Sequence, residues 1–305
     1  MIAAINPLGP APTTTASYSL TRAPYPTAER AVGRPYTPRV LAPNHLPPAY
    51  AAWNNRWGAP FGSQRIWARS IGKRMPRLTE RYPRIRGPFA IQGNNDTRRY
   101  EYPWAYFAAP VEPGMRVVEI GGGLAGFQFV LSKQGVDVVN VDPGLEAAGI
   151  GWPCDPSSIA RLNQAFGTTV RLENTTLQDA GIADESVDHI YAISTIEHIP
   201  VDELPELARE MRRILKPGGK IVLTIDLFLN LAPFTRRAEN RYGWNIDVKA
   251  FVDEIGIEKT VGVERELCGY PGFDPDDIQS RLEEFCYGQG YPALAQLVVL
   301  EKPAA

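Results

Sequence analysis

One stretch of the chain constrains the fold more than any other, because two short apolar segments flank a run of three glycines. This stretch is Met115–Gly144, MRVVEIGGGLAGFQFVLSKQGVDVVNVDPG. Residues 116–120 and 136–141 are rich in valine and isoleucine, as buried parallel strands are. The residues between them, about 125–134, form a helical pattern. The stretch therefore predicts one βαβ unit, with a glycine turn after its first strand.

The glycine turn predicts a ligand site. Gly121, Gly122 and Gly123 allow the backbone to approach a ligand closely, and the following helix offers unpaired N–H groups and the positive end of its dipole. Asp142 ends the second strand, where a carboxylate can accept hydrogen bonds from two ribose hydroxyls. An adenosine-bearing ligand fits both features.

The glycine pattern alone is a weak signal. Gly121, Gly123 and Gly126 satisfy G-x-G-x-x-G, so a nicotinamide or flavin site is considered beside a site for S-adenosylmethionine (SAM). Glu119, two residues before Gly121, separates these possibilities. A dinucleotide site usually has an apolar residue there, whereas a carboxylate suits a cationic ligand.

Three motifs together resemble class I SAM-dependent methyltransferases over about residues 115–227. They are the E-x-G-x-G sequence that starts at Glu119, the acidic turn and strand at 184–194, and the turn LKPGGKIVL at 215–223. The resemblance implies an α/β fold, with a doubly wound, seven-stranded Rossmann-like sheet whose last strand is antiparallel, and an N-terminal cap. It also implies SAM as cofactor and S-adenosylhomocysteine as its product.

By this resemblance, the cofactor site draws on the ends of four strands. The predicted contacts are Glu119, Gly121, Gly122, Gly123, Asp142, Pro143, Thr176, Leu177, Gln178 and Ser194. Thr176 stands where the family usually has an acidic residue beside the adenine. Leu177 through its backbone and Gln178 through its side chain are therefore the expected adenine contacts.

A candidate general base follows the predicted fourth strand, 189–194. His198 lies just past its carboxyl end, beside which ligands bind in a doubly wound sheet. Its ordinary pKa near 6.5 allows it to accept a proton at neutral pH. Glu197 can orient it or the acceptor. The alternative is that both residues only tie this loop to the next helix.

Two further segments are candidates for the acceptor pocket. The resemblance suggests that the aromatic segment before the first strand lines it, through Tyr100, Tyr102 and Trp104, with Arg99 nearby. These rings can instead fix the cap to the sheet edge. The segment 227–247 contains Arg237, Tyr242 and Trp244, and it is interpreted either as part of the acceptor site or as a long connection.

The domain boundaries follow composition. Residues 1–50 contain ten prolines and are predicted to be an extended or disordered arm. Residues 51–112 form an aromatic and basic cap segment, and 113–305 form the methyltransferase domain, with acceptor-site insertions near 228–247 and 269–290. The remaining helices are expected at 157–166, 201–215, 248–255 and 276–285, and the remaining strands at 169–172, 220–226, 258–266 and 296–301.

Composition excludes several classes of protein. An apolar content of 44% is ordinary for a globular protein, and no apolar run is long enough to span a membrane. Three cysteines and three histidines are too few and too scattered for a disulfide framework or a metal site, so a cytoplasmic location is expected.

Charge is unevenly distributed along the chain. The first 100 residues contain 15 Lys and Arg against 3 acidic residues, and the remainder contains 17 against 31. The two parts are expected to pack on each other, and a sharper hypothesis is that the basic part binds an anionic partner.

The acceptor is the least determined element. The preferred reading is oxygen or nitrogen methylation of a small molecule, and an anionic acceptor would use the arginines. The alternatives are an RNA or protein methyltransferase that docks through residues 65–86, a dinucleotide-dependent oxidoreductase, and a cofactor-binding protein without catalysis. Nucleic acid is the less favoured partner, and the sequence carries no signal for an oligomeric state.

Overall fold

The structure is a computed structural model that describes residues 40–64, 67, 70–71, 74–144, 154–257, 259–261, 264–288 and 290–304. The predicted arm up to residue 39, part of the basic segment and the loop at 145–153 lie outside the described residues.

Seven strands form the central sheet, and a separate two-stranded hairpin lies beside it. The strands are β1 (Arg116–Ile120), β2 (Asp137–Val141), β3 (Arg171–Glu173), β4 (Val187–Ile193), β5 (Leu215–Phe228), β6 (Glu239–Asn240), β7 (Gly243–Trp244), β8 (Lys259–Val261) and β9 (Ala293–Glu301). The sheet order is β3-β2-β1-β4-β5-β9-β8. In this order, each neighbouring pair among β3, β2, β1, β4 and β5 is parallel. Strand β9 runs antiparallel to both of its neighbours, β5 and β8. The predicted fold class is confirmed.

The strand order reverses between β1 and β4. From β1 the chain proceeds outward through β2 and β3, and it then returns to place β4 on the other side of β1. This reversal leaves a crevice at the carboxyl ends of β1 and β4, which is where doubly wound sheets bind their ligands.

Helices cover both faces of the sheet. They are α1 (Pro48–Trp57), α2 (Pro76–Arg81), α3 (Arg98–Ala108), α4 (Gly126–Lys133), α5 (Pro156–Phe166), α6 (Leu204–Ile214), α7 (Val248–Ile255) and α8 (Pro275–Ser280). On one face, buried side chains of α6 and α7 pack in one cluster with Val118 and Ile190 of the sheet. Side chains of α4 and α5 bury with Val117 and Tyr191 on the other. Adjacent strand residues thus face opposite layers, as the pleat requires.

The cap packs on the outside of α4. Trp53 of α1 contacts Phe89 and Phe127, with ring centroids 5.7 and 6.5 Å apart. The Tyr191 hydroxyl of β4 donates to the carbonyl of Ala109, at 2.8 Å, just after α3 ends. Residues 40–42, which fall inside the predicted arm, are buried, and Leu41 forms a β-bridge with Gln296 of β9. The packed part of the chain therefore starts before residue 51.

Several predicted boundaries differ from the structure. The helix expected at 201–215 begins at Leu204, because Pro205 occupies its first turn. The strand expected at 258–266 spans only Lys259–Val261, and Glu264–Glu266 form a 3₁₀ turn. The helix expected at 276–285 ends at Ser280 and is followed by a 3₁₀ turn at Leu282–Glu284.

Strands β5 and β9 extend beyond the predicted ranges 220–226 and 296–301. They pair with each other over nine positions, 220–228 with 293–301, and Leu215 at the start of β5 pairs with Val187 of β4. Pairing between distant segments is not visible in a local pattern. No helix in the described part of the chain is both long and apolar enough to cross a bilayer.

Candidate active site

The glycine bend connects β1 to α4 at the crevice. Gly121 adopts a φ of +65°, and a Cβ atom there would lie 2.3 Å from Cγ2 of Thr195. Only glycine fits this position. The Asn140 side chain fixes the bend, because its Oδ1 accepts from the Gly122 N–H at 3.1 Å and its Nδ2 donates to the Gly123 carbonyl at 3.0 Å. The bend is therefore a rigid loop with closely approachable backbone.

Glu119 lies directly beneath this bend. The residue is only 1% exposed, and its Oε2 atom has no hydrogen-bond partner among the described residues. Burial, together with the nearby charge of Asp142, raises the pKa of Glu119 to about 8. A buried, unpartnered carboxylate is costly unless a donor pairs with it. This orphaned oxygen fits a cationic group of a ligand, as the sequence motif predicted.

Asp142 occupies the predicted position at the carboxyl end of β2. Its Oδ2 accepts from the Gly123 N–H at 2.6 Å, and its Oδ1 accepts from the Gly144 N–H at 2.7 Å. Each oxygen retains a second lone pair for a hydroxyl donor. Burial raises the pKa of Asp142, and the two backbone hydrogen bonds oppose that shift. The carboxylate is thus held in one orientation beside the bend.

The loop after β3 is tied to the same corner. The Asn174 side chain donates to the carbonyl of Asp142 at 2.8 Å. Leu177 is buried, whereas the Thr176 hydroxyl donates to Asp179 at 3.0 Å. Thr176 is therefore occupied by a neighbour within its own loop, and the segment with Leu177 and Gln178 follows the anchored residue 174.

A second group of buried polar residues lies at the ends of β4 and β5. Ser194 Oγ is 2.6 Å from Glu197 Oε1 and 2.7 Å from Asp226 Oδ2. The Tyr291 hydroxyl donates to the same Asp226 oxygen at 2.7 Å. Glu197 and Asp226 are fully buried, and Glu197 Oε2 and Asp226 Oδ1 have no hydrogen-bond partner among the described residues. We call Ser194, Glu197, Asp226 and Tyr291 the carboxyl cluster.

Burial shifts the pKa values of both acids in this cluster upward. For Asp226 the pKa is about 8, and the neighbouring Glu197 charge adds to the effect. The Ser194 hydroxyl, predicted to contact the cofactor, is instead taken up by the two carboxyl groups. Its backbone N–H donates to the Thr224 carbonyl at 2.7 Å.

His198 lies in a 3₁₀ turn (Ile196–His198) at the rim of the cluster. Its Nδ1 is hydrogen-bonded to the Tyr242 carbonyl, which fixes the proton on Nδ1 and leaves a lone pair on Nε2. Nε2 is 3.8 Å from Glu197 Oε1, and the His198 side chain is 28% exposed. Burial lowers the pKa of His198, so the ring is neutral at pH 7.

The three predicted aromatic residues of the cap are buried in α3. The Tyr102 ring packs 4.9 Å from Phe89 and 5.9 Å from Phe127, and its hydroxyl donates to Asn94 at 2.8 Å. Tyr100 and Trp104 belong to the same buried layer. These contacts match the alternative interpretation, in which the rings fix the cap to the sheet.

Of the three residues predicted in the segment 227–247 to line the acceptor pocket, only one lies beside the carboxyl cluster. Tyr242 packs against Tyr291, with ring centroids 4.8 Å apart, and so lies beside the carboxyl cluster. Trp244 is half-buried in β7, and Arg237 is exposed. The structure thus brings Tyr242 to the site, but it gives Arg237 no contact with the cluster.

Sequence reasoning missed Asp226, Tyr291, Arg98 and Glu101. Arg98 Nη1 donates to both oxygens of the buried Glu101, at 2.6 and 2.7 Å. Glu101 also accepts from the Thr224 hydroxyl of β5, so this side of α3 faces β5. One signal was available for Asp226, since it ends the predicted strand 220–226 as Asp142 ends its own. No local sequence signal indicates that Tyr291 belongs to the site or that the Arg98 side chain points inward.

The sheet order, the glycine bend with its carboxylate, and the acidic tip of β2 together define the architecture of class I SAM-dependent methyltransferases. SAM is the methyl donor of that class, as the sequence predicted.

Comparison with known proteins agrees. The profile of the family described as "Methyltransferase domain" matches residues 95–251. A protein of Mycobacterium bovis (strain BCG / Pasteur), named an uncharacterized methyltransferase, is 31% identical over 198 residues, which are 56% of this chain and 71% of that protein. Another of that name, from Mycobacterium sp. (strain JLS), is 32% identical over 123 residues, 40% of this chain and 43% of that protein.

The crystal structure of the [4+2]-cyclase SpnF aligns with a TM-score of 0.49 at 13% identity, and the alignment covers 78% of this chain and 96% of SpnF. The chain belongs to the methyltransferase-domain family.

Proposed function

We propose that this protein transfers the methyl group of SAM to an oxygen or nitrogen nucleophile of a small molecule. One observation carries the proposal: consecutive residues join the donor bend to the carboxyl cluster. The Thr195 hydroxyl donates to the Ile120 carbonyl at 3.1 Å and the Thr195 methyl abuts Gly121, while Ser194 bridges the two acids. An acceptor held by the cluster would therefore lie next to a donor held by the bend.

The residues around the bend suit the parts of the donor. Glu119 would take its ammonium group, Asp142 its ribose hydroxyls, and Leu177 with Gln178 its adenine. When bound, SAM supplies a methyl group that its sulfonium makes electrophilic. The protein's own task is to hold the nucleophile about 3 to 3.5 Å from that carbon and to exclude water.

Proton removal is the proposed role of His198. Its Nδ1 is bound to the Tyr242 carbonyl, so Nε2 is the atom that would accept a proton from the acceptor. The lowered pKa keeps the ring neutral and able to do so at pH 7. Glu197, 3.8 Å away, would stabilise the imidazolium that forms.

Burial of the carboxyl cluster favours a small acceptor over a macromolecule. The carboxyl cluster is covered, and a folded protein or a nucleic acid would need an open surface to reach it. Two arginines of the basic segment are engaged internally: Arg84 donates to the carbonyls of Ala165 and Gln164, and Arg86 donates to that of Phe61 at 2.6 Å. These two side chains are thus held against the protein's own backbone.

The test is direct. The protein is incubated with methyl-tritiated SAM and a protein-free extract, and the labelled product is identified by mass spectrometry. Binding of SAM, S-adenosylhomocysteine and NAD is measured by calorimetry in parallel. A methylated small molecule is the expected product. Label only in macromolecules of whole extract, or uptake of NAD without SAM, would refute the proposal.

A further inference from the structure

The carboxyl cluster holds one more proton than its sequence suggests. Ser194 Oγ lies within 2.7 Å of an oxygen on each acid, yet a hydroxyl has only one hydrogen to donate. The second contact is favourable only if the other carboxyl group carries a proton and donates it to Ser194. Glu197 and Asp226 together therefore hold at least one proton, and a pair with a single proton keeps one negative charge.

No lysine or arginine in the described part of the chain forms an ion pair with either of these two acids. Arg98 is near enough to be felt electrostatically by both acids, but its ion pair is with Glu101. His198 approaches Glu197 to 3.8 Å but is neutral at pH 7. A buried charge without an ion-pair partner is unfavourable, so the arrangement favours a cation from outside.

The two orphaned oxygens indicate what kind of cation fits. Glu197 Oε2 and Asp226 Oδ1 are both fully buried, and neither has a hydrogen-bond donor in the described ranges of the chain. An ammonium group has three donors, no acceptor and a positive charge, so it can satisfy both oxygens and the charge at once. An alcohol has one donor and no charge, and it would leave one oxygen unpaired.

Aromatic rings pack beside the cluster. Tyr291 contacts Tyr242 at 4.8 Å and Phe228 at 5.7 Å between ring centroids, and both tyrosines are partly exposed. Aromatic faces attract organic cations. A path past these rings would therefore favour an ammonium group as well.

We propose that Glu197 and Asp226 form a cation subsite that binds the acceptor as a primary or secondary amine in its ammonium form. This proposal rests on the methyltransferase function proposed above and narrows its acceptor to nitrogen nucleophiles. The subsite positions the nitrogen, and removal of its proton remains the role of His198.

The probes are matched pairs of small molecules: methylammonium, ethylammonium and benzylammonium chloride, each against its alcohol. Each is titrated into the full-length protein saturated with S-adenosylhomocysteine, at pH 7 and constant ionic strength, with calorimetry as the readout. We expect at least one ammonium ion to bind about tenfold or more tightly than its alcohol, the effect of one charged hydrogen-bonded contact.

The double variant Glu197→Gln/Asp226→Asn removes the charge whichever acid carries the proton, and it should abolish the preference for ammonium. Asp137→Asn, at the opposite end of β2, is the matched control and should retain it. Thermal unfolding checks that each variant folds, and the single variant Asp226→Asn provides a second measurement if the double variant does not.

Wild-type protein without an ammonium preference, or a preference that survives in the double variant, would overturn the subsite. The tritium experiment reports separately on methyl transfer. Label on nitrogen supports the inference, and label on oxygen overturns it. An intact ammonium preference without any labelled product would support the subsite and refute the methyltransferase function.

Discussion

Glu119 and Asp142 are buried carboxylates at the ends of neighbouring strands, yet their surroundings differ. Both oxygens of Asp142 accept backbone N–H groups, which favour its ionised form, whereas Glu119 Oε2 has no donor among the residues that the structure describes. Asp142 therefore holds its carboxylate in a fixed direction, whereas Glu119 has an unpaired oxygen. Under the proposed function, the same side-chain chemistry would serve two different parts of SAM.

Replacement of Asp142 by alanine should weaken SAM binding by about tenfold or more, because hydrogen bonds to a charged acceptor contribute about 1.5 to 3 kcal/mol each. Calorimetry measures the effect. Asp137→Ala, at the exposed start of the same strand, is the control and should bind SAM as the wild type does. Unchanged affinity in Asp142→Ala would show that the ribose assignment is wrong.

The raised pKa of Glu119 predicts a pH dependence of donor binding. Only the ionised carboxylate attracts a cation, and with a pKa of about 8 the ionised fraction increases as pH rises from 6 to 8. SAM affinity of the wild type, relative to that of Glu119→Gln, should therefore rise across this range. The ratio removes the pH dependence that the two proteins share, and the range ends at pH 8 because an α-amino group loses its proton near there. Parallel affinity curves would contradict the assignment.

His198→Ala should lower kcat by about 10²-fold or more if Nε2 accepts the acceptor's proton, with SAM affinity unchanged. The rate is measured with saturating SAM and the acceptor fraction isolated from extract. His45 is exposed and distant from His198 in the sequence, and His45→Ala is the control variant. Full turnover by His198→Ala would leave positioning alone as the protein's contribution.

At the scale of elements, the site depends on which strand ends become neighbours. In the register of β4 and β5, Ile193 is opposite Thr224, so Ser194 and Asp226 emerge side by side at the same edge. The β6–β7 hairpin then closes on the 3₁₀ turn that contains Glu197. Its Gly243 has a φ of +143°, and a Cβ atom there would lie 1.9 Å from the Glu197 carbonyl oxygen. The hairpin thus needs glycine to reach the turn.

Gly243→Ala should displace the hairpin and break the hydrogen bond between His198 and the Tyr242 carbonyl. We expect a loss of about 1–3 kcal/mol in the free energy of unfolding from backbone strain, and more from the clash. Gly181→Ala is the matched control, since Gly181 also has a positive φ, +63°, but has no atom within 4 Å of its Cβ position. Chemical denaturation measures both, and equal losses would show that the close approach is unimportant.

At the scale of the whole molecule, the buried acids oppose folding at neutral pH and above. Asp226 has a pKa of about 8 in the folded protein and an ordinary one when unfolded. Between about pH 4 and 8, the folded protein binds the extra proton, so its stability falls as pH rises through this window. Binding of a cation at the cluster would offset this cost, which links stability to ligand.

Asp226→Asn should remove this dependence, because asparagine keeps the shape but does not ionise. Relative to the wild type, the variant should gain free energy of unfolding as pH rises from about 4 to 8, by at most about 1.4 kcal/mol per pH unit, and level off above pH 8. Urea unfolding at several pH values measures the difference, in which the contributions of acids distant from Asp226 cancel. A constant difference would mean that Asp226 titrates normally.

The sequence by itself determined the βαβ unit, the glycine bend, Glu119 and Asp142, because each depends on residues close together in the chain. Strand periodicity, glycine spacing and a carboxylate at a strand end are local signals, and resemblance to a known family supplied the order of the sheet. Boundaries at Leu204 and Ser280 differed because prolines and turns compete with helix periodicity.

Only the tertiary structure decided what the side chains far apart in sequence do. Glu197, Asp226 and Tyr291 come from three separate segments, and their hydrogen bonds exist only because β4, β5 and β9 are adjacent. Helix α3 could have turned its tyrosines or its Arg98–Glu101 pair toward the site, and its sequence allows either. In the structure, Tyr102 packs against Phe127 of α4, whereas Arg98 and Glu101 are buried as an ion pair beside β5.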